Sequence, residues 1–441
     1  MKNIDRRIHI KPLILLTLLL FGANPLLGVP PGPTLALQRT WGGPDFDLGA
    51  GVALASDGSI YLAGSTHSFG AGDEDIFLVK FAADGGLVWQ RTFGTAGQPN
   101  LAADEFASAV AVGPDGSVYV AGDSADTHAL LVKFSPDGNL IWQTTWGGTN
   151  TEFANGVAVA SNGSIYLTGF TTSFGVGFDN AFLVKFAPDG SLIWQRTWGG
   201  SNSEFGNAVA VASDGRIYVA GDGNSFLSND AFLLKFTPNG TLVWQRDWNG
   251  DGGQNESAGE GVAVAADGSV YLTGRSLVFG VGQNVFLAKF TPDGGLVSNS
   301  TWGDNIDAAL GAAVGPDGSI FVTGNTGFGS GGGDLLVVQF LPTGKAKQAM
   351  TWGGMDNDTG ASIVAGADGS VYVAGTTGGP PYTFARAPKM TKAPSSVLST
   401  PAGTVTQPAA TLGNPNGIVL VPHGRLTFAG ASDAALLKII P

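Results

Sequence analysis

A stretch of about fifty residues recurs along this chain and constrains the fold more than any other feature. Its clearest copy lies within residues 156–200, where GVAVASNGSIYLTG is followed by AFLVKFAPDGSLIWQRTWGG. An aromatic residue marks the end of each copy at spacings of 50 to 54 residues: Trp41, Phe93, Trp146, Trp198, Trp248, Trp302 and Trp352. A chain built in this way must fold as an array of one repeated unit.

Each copy is predicted to form four antiparallel strands. Apolar and small residues alternate on both sides of Asn162-Gly163, a dipeptide that suits the tight turn of a hairpin. Residues 182–186 and 192–198 form the second pair, joined at Pro188-Asp189-Gly190. One small sheet cannot bury both of its faces, so the copies must stack. The predicted blade-packing residues are Trp41, Trp89, Trp142, Trp146, Trp194, Trp198, Trp244, Trp248, Trp302 and Trp352.

The two ends of the repeated region complement each other. Eight first hairpins can be counted, and their last glycines are Gly64, Gly122, Gly169, Gly221, Gly274, Gly324, Gly375 and Gly430. The last copy stops after its third strand, residues 435–440, and residues 35–41 are a fourth strand with no copy before it. We therefore predict an all-β fold, a closed eight-bladed β-propeller whose amino-terminal strand completes the last blade. The alternative is a seven-bladed ring with the seventh copy looped out.

The domain boundaries follow from this count. Residues 34–441 form the propeller, with a Pro/Thr/Ala-rich insertion at about 376–416 in the seventh blade, which we expect to be poorly ordered from 380 to 396. Residues 1–33 are predicted to be a secretory signal and a short linker, because basic residues precede the apolar run at 13–21. A retained membrane anchor is the alternative, although this run is shorter than the ~20 residues that a spanning helix needs.

Composition limits the partners and the chemistry. The net charge of −13 argues against nucleic acid, whose phosphates would be repelled. The chain has no Cys, which excludes disulfides, thiolate metal sites and cysteine nucleophiles. We expect a monomer that is secreted, periplasmic or at the cell surface, with no membrane association once the signal is removed.

The hairpin GVAVxxDGSIYLAG and the return FLVKFxPDGxLxWQRTWGG resemble the bacterial SBBP, or β-propeller, repeat over nearly all of residues 35–441. This resemblance implies the fold and supplies no catalytic residues. The segment KFAADGGLVWQRTFG is also similar to the tryptophan-docking repeat of eight-bladed quinoprotein dehydrogenases and outer-membrane assembly propellers. That similarity implies docking roles for Trp89, Trp142, Trp194 and Trp244, from which Ser298 and Ala349 depart. A Cys-free chain cannot form the vicinal disulfide of many quinoproteins, and we expect no cofactor.

An acidic residue recurs four positions before the first strand of most copies. The set is Asp47, Glu105, Glu152, Glu204, Asp307 and Asp358, with Glu256 displaced by one position. First strands line the channel of a propeller, so these carboxylates are predicted to form a ring at one mouth that holds a divalent cation, such as calcium, or a basic ligand. The structural alternative is that each carboxylate accepts hydrogen bonds from backbone N–H groups of its own copy or the next.

Other candidates have similar alternatives. Lysines recur at one position of the third strand: Lys80, Lys133, Lys185, Lys235, Lys289 and Lys438, with Gln339 in the sixth copy. They could form a ring of amines that binds a ligand. The alternative is that they lie at a solvated strand edge or pair with neighbouring acidic residues. The histidines His67, His128 and His423 are not equivalent, and no triad or metal site is predicted from them. The connectors between second and third strands vary most, so a partner surface is expected there and at the channel mouth.

These observations favour a secreted, non-catalytic β-propeller scaffold that recognises a protein or a glycan. One alternative is a hydrolase or lyase in which Glu152 and Glu204 act as acid and base at the channel mouth. Another alternative is a structural spacer in a surface layer, which would bind no ligand.

Overall fold

The computed structural model describes residues 33–70, 74–94, 104–225, 228–250, 256–278, 282–303, 307–327, 333–354, 356–378, 381–385, 397–399 and 432–441. All described residues belong to one compact unit, residues 33–441. The predicted signal therefore lies outside the described residues, apart from Pro33. No helix within the described ranges has the length and apolar character needed to cross a membrane.

Seven antiparallel sheets form the blades within these described ranges, and strands are numbered in chain order. The first strands of blades 1 to 7 are β2 (Asp47–Leu54), β6 (Phe106–Val112), β10 (Glu152–Val159), β14 (Glu204–Val211), β18 (Glu256–Val264), β22 (Ala308–Val314) and β26 (Asp358–Ala365). The second strands are β3 (Ile60–Thr66), β7 (Val118–Asp123), β11 (Ile165–Thr171), β15 (Ile217–Ser225), β19 (Val270–Val278), β23 (Ile320–Asn325) and β27 (Val371–Thr377).

The outer half of each blade has the same order. The third strands are β4 (Asp75–Phe81), β8 (Ala129–Phe134), β12 (Asn180–Phe186), β16 (Ser228–Phe236), β20 (Gly282–Phe290), β24 (Leu335–Phe340) and β30 (Asp433–Ile440). The fourth strands are β5 (Leu87–Phe93), β9 (Leu140–Trp146), β13 (Leu192–Trp198), β17 (Leu242–Trp248), β21 (Leu296–Trp302), β25 (Ala346–Gly354) and, in blade 7, β1 (Thr34–Trp41). First strands of neighbouring blades adjoin one another around the whole ring, including β26 and β2.

The predicted number of eight blades is wrong. Strand β30 was assigned to an eighth blade, but it pairs with β27, with Val371 opposite Ile439 and Thr377 opposite Asp433. The seventh copy keeps its first hairpin in the ring and takes its third strand from the end of the chain, so it is not looped out as the alternative proposed. The hairpin 417–430, which was counted as the eighth, lies outside the described residues.

The predicted closure by the amino-terminal strand is confirmed. Strand β1 pairs with β30, with Thr40 opposite Ala435 and Trp41 opposite Ala434. The long insertion connects β27 and β30, so it starts after Thr377 rather than at 376. Residues 381–385 form β28 (Pro381–Ala385), which pairs with β25 and with β29 (Val397–Ser399) at the edge of blade 6, and the poor order expected from 380 to 396 stays a prediction.

Tryptophans of the fourth strands make contacts between successive blades. Trp146, at the end of a fourth strand, packs on Phe182 of the next blade with ring centroids 4.5 Å apart, and its Nε1 donates to Gln195 Oε1 at 2.9 Å. Trp142 docks on the following Pro-Asp-Gly turn, where its Nε1 donates to Pro188 O. Gly190 of that turn leaves room for the indole, because a Cβ there would lie about 3.1 Å from it.

The channel mouth as candidate functional site

The acidic residues predicted to ring the channel mouth are buried instead, at most 8% exposed. Glu152 accepts hydrogen bonds from the Gly148 amide at 3.0 Å and from Thr171 Oγ1 at 2.8 Å. Asp358 and Glu204 likewise accept from backbone N–H groups of the residues four positions earlier, at 2.8 and 2.9 Å. These are the backbone hydrogen bonds of the structural alternative. The displaced Glu256 is exposed.

Each of these acids also lies at a junction between two blades. The Glu152 amide donates to Thr127 O of blade 2 at 2.9 Å, and the Asp47 amide donates to Ser432 O of blade 7 at 2.7 Å. The Asp307 and Glu105 amides make the corresponding bonds, to Gln283 O and Glu74 O. The main chain of these residues therefore joins two blades, while the carboxylates of Glu152, Glu204 and Asp358 accept from backbone amides four positions earlier.

The junction between blades 7 and 1 brings two carboxylates together. A Cβ on Gly42 would lie 2.2 Å from Asp433 Oδ1 and 2.7 Å from Asp47 Oδ2, so the two oxygens are within about 5 Å of each other. Burial, and secondarily the charge of Asp47, raises the pKa of Asp433 to about 7. Burial also raises the pKa of Asp358 and of Asp334, which face each other between blades 6 and 7.

These junctions do not assemble the predicted cation site or the acid–base pair. Over the residues that the structure describes, no three His, Cys, Asp or Glu side chains group in a way that could hold a metal ion. Glu152 lies between blades 2 and 3, whereas Glu204 lies between blades 3 and 4. Each carboxylate accepts a hydrogen bond from a glycine amide of its own junction.

The lysines of the third strands also make contacts within and between blades. Lys133 Nζ lies 5.2 Å from the centre of the Tyr119 ring and donates to Pro188 O of the next blade at 3.2 Å. The same cation–π contact recurs at Lys80, Lys185, Lys235, Lys289 and Lys438. Of the histidines, His67 Nε2 lies 3.4 Å from Glu74 Oε2, His128 Nε2 lies 3.1 Å from Gly148 O, and His423 is outside the described residues.

A feature that the sequence reasoning missed is a β-bulge in every first strand. The bulge leaves one residue per blade without a cross-strand partner: Ala50, Ser108, Asn155, Asn207, Glu260, Leu310 and Ala361. The second-strand residue that follows the hairpin glycine also varies from blade to blade, and only aspartate occurs twice. These residues are Ser65, Asp123, Phe170, Asp222, Arg275, Asn325 and Thr376. The sequence signal that could have pointed to these two positions is their variation inside an otherwise repeated hairpin.

These two positions meet in blades 4 and 5 to form a charged cluster of Asn207, Asp222, Glu260 and Arg275. Asn207 Nδ2 donates to Asp222 Oδ1 at 2.7 Å and to Gly259 O of blade 5 at 3.0 Å. Arg275 Nη2 lies 3.5 Å from Glu260 Oε1, and the Arg275 side chain is 48% exposed. Burial raises the pKa of both carboxyls, and the charge of Arg275 opposes that rise.

Large apolar side chains stand near the start of the first strands of blades 1 to 4 and, in blade 3, also near the end of the second strand. We call them the mouth arc: Leu48, Phe106, Phe153, Phe170 and Phe205. Phe170 stacks on Phe153 at 5.1 Å and meets Phe205 of the next blade edge-on at 5.0 Å. Leu48 and Phe106 are 41% and 38% exposed. Leu48, Phe106, Phe153 and Phe205 stand two residues before the bulge in blades 1 to 4, where blades 5 to 7 carry the smaller Ala258, Ala308 and Thr359.

The mouth arc and the charged cluster share one face of the propeller. First strands begin and second strands end on this face, so it carries the connectors between second and third strands. The tight turns, such as the one at Gly163, lie at the opposite ends of the strands. The connector of blade 3 presents Phe178 and Val176 in largely exposed positions. One face is therefore variable and partly apolar, while the other repeats.

Comparisons with known proteins identify the fold. A family model described as a domain of unknown function (DUF5122) beta-propeller matches residues 55–87 and 212–242, equivalent segments of blades 1 and 4. No curated protein matches the chain. The WD40 domain of Neurospora crassa Pan2 is similar, with a TM-score of 0.50, 10% identity, and coverage of 77% of this chain and 91% of that one.

Two further solved structures align less well. A protein of unknown function from Dyadobacter fermentans has a TM-score of 0.48 and 13% identity, and the alignment covers 93% of this chain and 99% of that one. A gluconolactonase from Xanthomonas campestris has a TM-score of 0.39 and 14% identity, with 63% and 84% covered. At these identities the likeness is one of fold alone.

Proposed function

We propose that this protein is a secreted, non-catalytic β-propeller scaffold that recognises a protein or a glycan through the channel mouth on its connector face. The observation that carries the proposal is the mouth arc. Leu48 and Phe106 are large apolar residues held exposed at the ends of first strands, whose positions are set by pairing along their whole length. Exposed apolar surface on a rigid frame is a common feature of binding sites.

The distribution of repeated and variable residues supports the same site. The acidic, lysine and tryptophan positions repeat from blade to blade, and their side chains bond within and between blades. The two variable positions of the hairpin differ among blades, and their side chains are in contact in blades 4 and 5. An asymmetric ligand contacts each blade differently, so a binding site on a repeated frame is expected at positions that do not repeat.

Secretion rests on the sequence. Lys2, Arg6, Arg7 and Lys11 precede an apolar run at residues 13–21, and the chain has no Cys that an oxidising compartment could cross-link. Fusion of residues 1–33 to a reporter enzyme that is active only after export would test this part, and an inactive, retained fusion would contradict it.

The recognition role is tested by screening purified protein on a glycan array and against a displayed library of random peptides. We expect at least one class of ligand whose binding is lost in the Leu48→Ser/Phe106→Ser double variant. Binding should survive in the control Ile193→Ser, which removes an exposed aliphatic side chain from the outer strand β13. Ligands that bind the double variant as well as the wild type would overturn the site, and turnover of a polysaccharide panel would overturn the non-catalytic role.

A further inference from the structure

We infer that the ligand of the mouth is a basic peptide segment of a protein partner. Its apolar side chains lie on the mouth arc, and a lysine or arginine side chain pairs with the carboxylates of the charged cluster. This inference rests on the proposed recognition site and adds the chemistry of the ligand.

The chemistry of the mouth arc favours peptide side chains over sugars. The arc contains only Phe and Leu, which offer no hydrogen-bonding group. All ten tryptophans lie in fourth strands, away from the mouth, and the second-strand tyrosines are at most 5% exposed: Tyr61, Tyr119, Tyr166, Tyr218, Tyr271 and Tyr372. Sugar hydroxyls that lose water against pure hydrocarbon gain no bond in return, whereas aliphatic and aromatic peptide side chains have no such cost.

The charge of the neighbouring cluster favours a cation. Asp222 and Glu260 provide two carboxylates against the single guanidinium of Arg275, which lies 3.5 Å from Glu260. The cluster is therefore formally −1 when both carboxyls are ionised, and it belongs to a chain with a net charge of −13. A basic segment is attracted by the whole molecule and finds a local carboxylate at the mouth.

The two parts of the site meet at one cross-strand pair. Phe205 of the mouth arc lies directly opposite Asp222 of the charged cluster in blade 4. Phe170 contacts Phe205 from blade 3, so apolar and acidic surfaces are continuous across two blades. A peptide with apolar residues close in sequence to a lysine or arginine can therefore contact both at once.

The test selects peptides from a displayed library of random sequences on the wild-type protein and then titrates the best synthetic peptide by calorimetry. We expect the selected peptides to be enriched in Lys or Arg together with Leu, Ile or Phe. The Kd should rise by about tenfold or more in Asp222→Asn/Glu260→Gln and in Phe106→Ser. It should stay unchanged in Ile193→Ser, and added salt should weaken binding.

Different failures separate this inference from the proposed function. Selected peptides without basic residues, or equal binding by the Asp222→Asn/Glu260→Gln variant, would overturn the inference. Glycan-array binding that requires Phe106, with no peptide selected, would also overturn it while leaving the mouth as a recognition site. If neither panel yields a ligand that depends on Leu48 or Phe106, both proposals fail. The melting temperature of each variant shows that it is folded.

Discussion

At the scale of single residues, the repeated glycines after the fourth strand are explained by the blade junctions. A Cβ on Gly199 would lie 2.4 Å from Glu204 Oε2 and 2.6 Å from Asn180 Oδ1. Gly147 is enclosed in the same way by Glu152 and His128. The backbone there passes between an acid of one blade and a polar side chain of the preceding blade, so only glycine fits without moving one of them.

The Trp-Gly-Gly motif contains its own control. We expect Gly199→Ala to lower the free energy of unfolding by about 1–3 kcal/mol, because the new methyl group displaces junction side chains. Gly200→Ala should be neutral or slightly stabilising, since the nearest atom to its Cβ would be 3.8 Å away. Urea denaturation of both variants checks this, and equal destabilisation would show that the junction does not require the glycine.

Asp433 gives stability a pH dependence of known sign. Its pKa is raised to about 7, whereas an unfolded Asp titrates near ~3.9. The folded state thus holds a proton that the unfolded state releases. The contribution of this group is complete below pH ~3.9 and is lost as the pH rises to about 7.

The variant Asp433→Asn should not show this loss of stability as the pH rises. We expect its melting temperature to exceed that of the wild type by an amount that grows from pH 4 to about pH 7 and is constant above. Asp189→Asn is a control with the opposite pH dependence. Hydrogen bonds from Ser191 lower the pKa of Asp189, so the stability that this carboxylate contributes is lost as the pH falls. A melting-temperature difference for Asp433→Asn that does not change with pH would contradict the argument.

At the scale of elements, the fourth strand connects each blade to the next one. In β13, Trp194 packs against Gly240 of the following turn, and Arg196 Nε donates to Gly240 O at 2.8 Å. The same contacts recur at Arg91 and Arg246, each with the glycine of the following turn. In β1, Arg39 Nε donates to Gly85 O at 2.9 Å, so the closing strand docks as the others do.

Two adjacent residues of β13 allow the stabilisation from docking on the next blade to be compared with that from a side chain on the surface. Trp194→Ala should cost about 2–4 kcal/mol of unfolding free energy, since it removes a large aromatic contact and a hydrogen bond at the blade junction. Ile193→Ala should change it by less than about 0.5 kcal/mol, because that side chain is 51% exposed. Chemical denaturation measures both, and similar losses would mean that docking adds nothing.

Elements were easier to predict than the site. Alternation and turn dipeptides are local signals, so the four strands of each blade and the pairing of β1 were predicted from the sequence. The bulge at Asn207 and Glu260 was not predicted, because its signal in the sequence is variation of one position among the copies, and such variation does not by itself indicate an unpaired residue. The acids were placed at the mouth by position alone, yet Glu152 turns inward to a glycine amide.

At the scale of the whole molecule, the number of blades depends on which strand completes the seventh sheet. Counting hairpins suggested eight, because residues 417–430 have the pattern of a first hairpin. Closure requires only a third strand that fits between β27 and β1, and residues 433–440 supply it. A local pattern cannot reveal which of two adjacent hairpins the ring uses.

Removal of residues 380–431 should therefore leave the ring intact. Thr377 and Asp433 are cross-strand partners, so Gly378, Gly379 and Ser432 would remain as a short hairpin loop. We expect a monomer with β-rich circular dichroism and a melting temperature close to that of the full chain. An aggregated or unfolded product would indicate that the removed segment contains a blade.

The seventh blade joins β1 to β30, two strands separated by almost the whole polypeptide. During synthesis, β1 has no partner in this blade until β30 has been made. Six blades can assemble in turn, but the circle closes in a single late step between distant segments. A chain that stops before β30 leaves β1 unpaired and the apolar side chains of Leu35 and Leu37 without their packing partners.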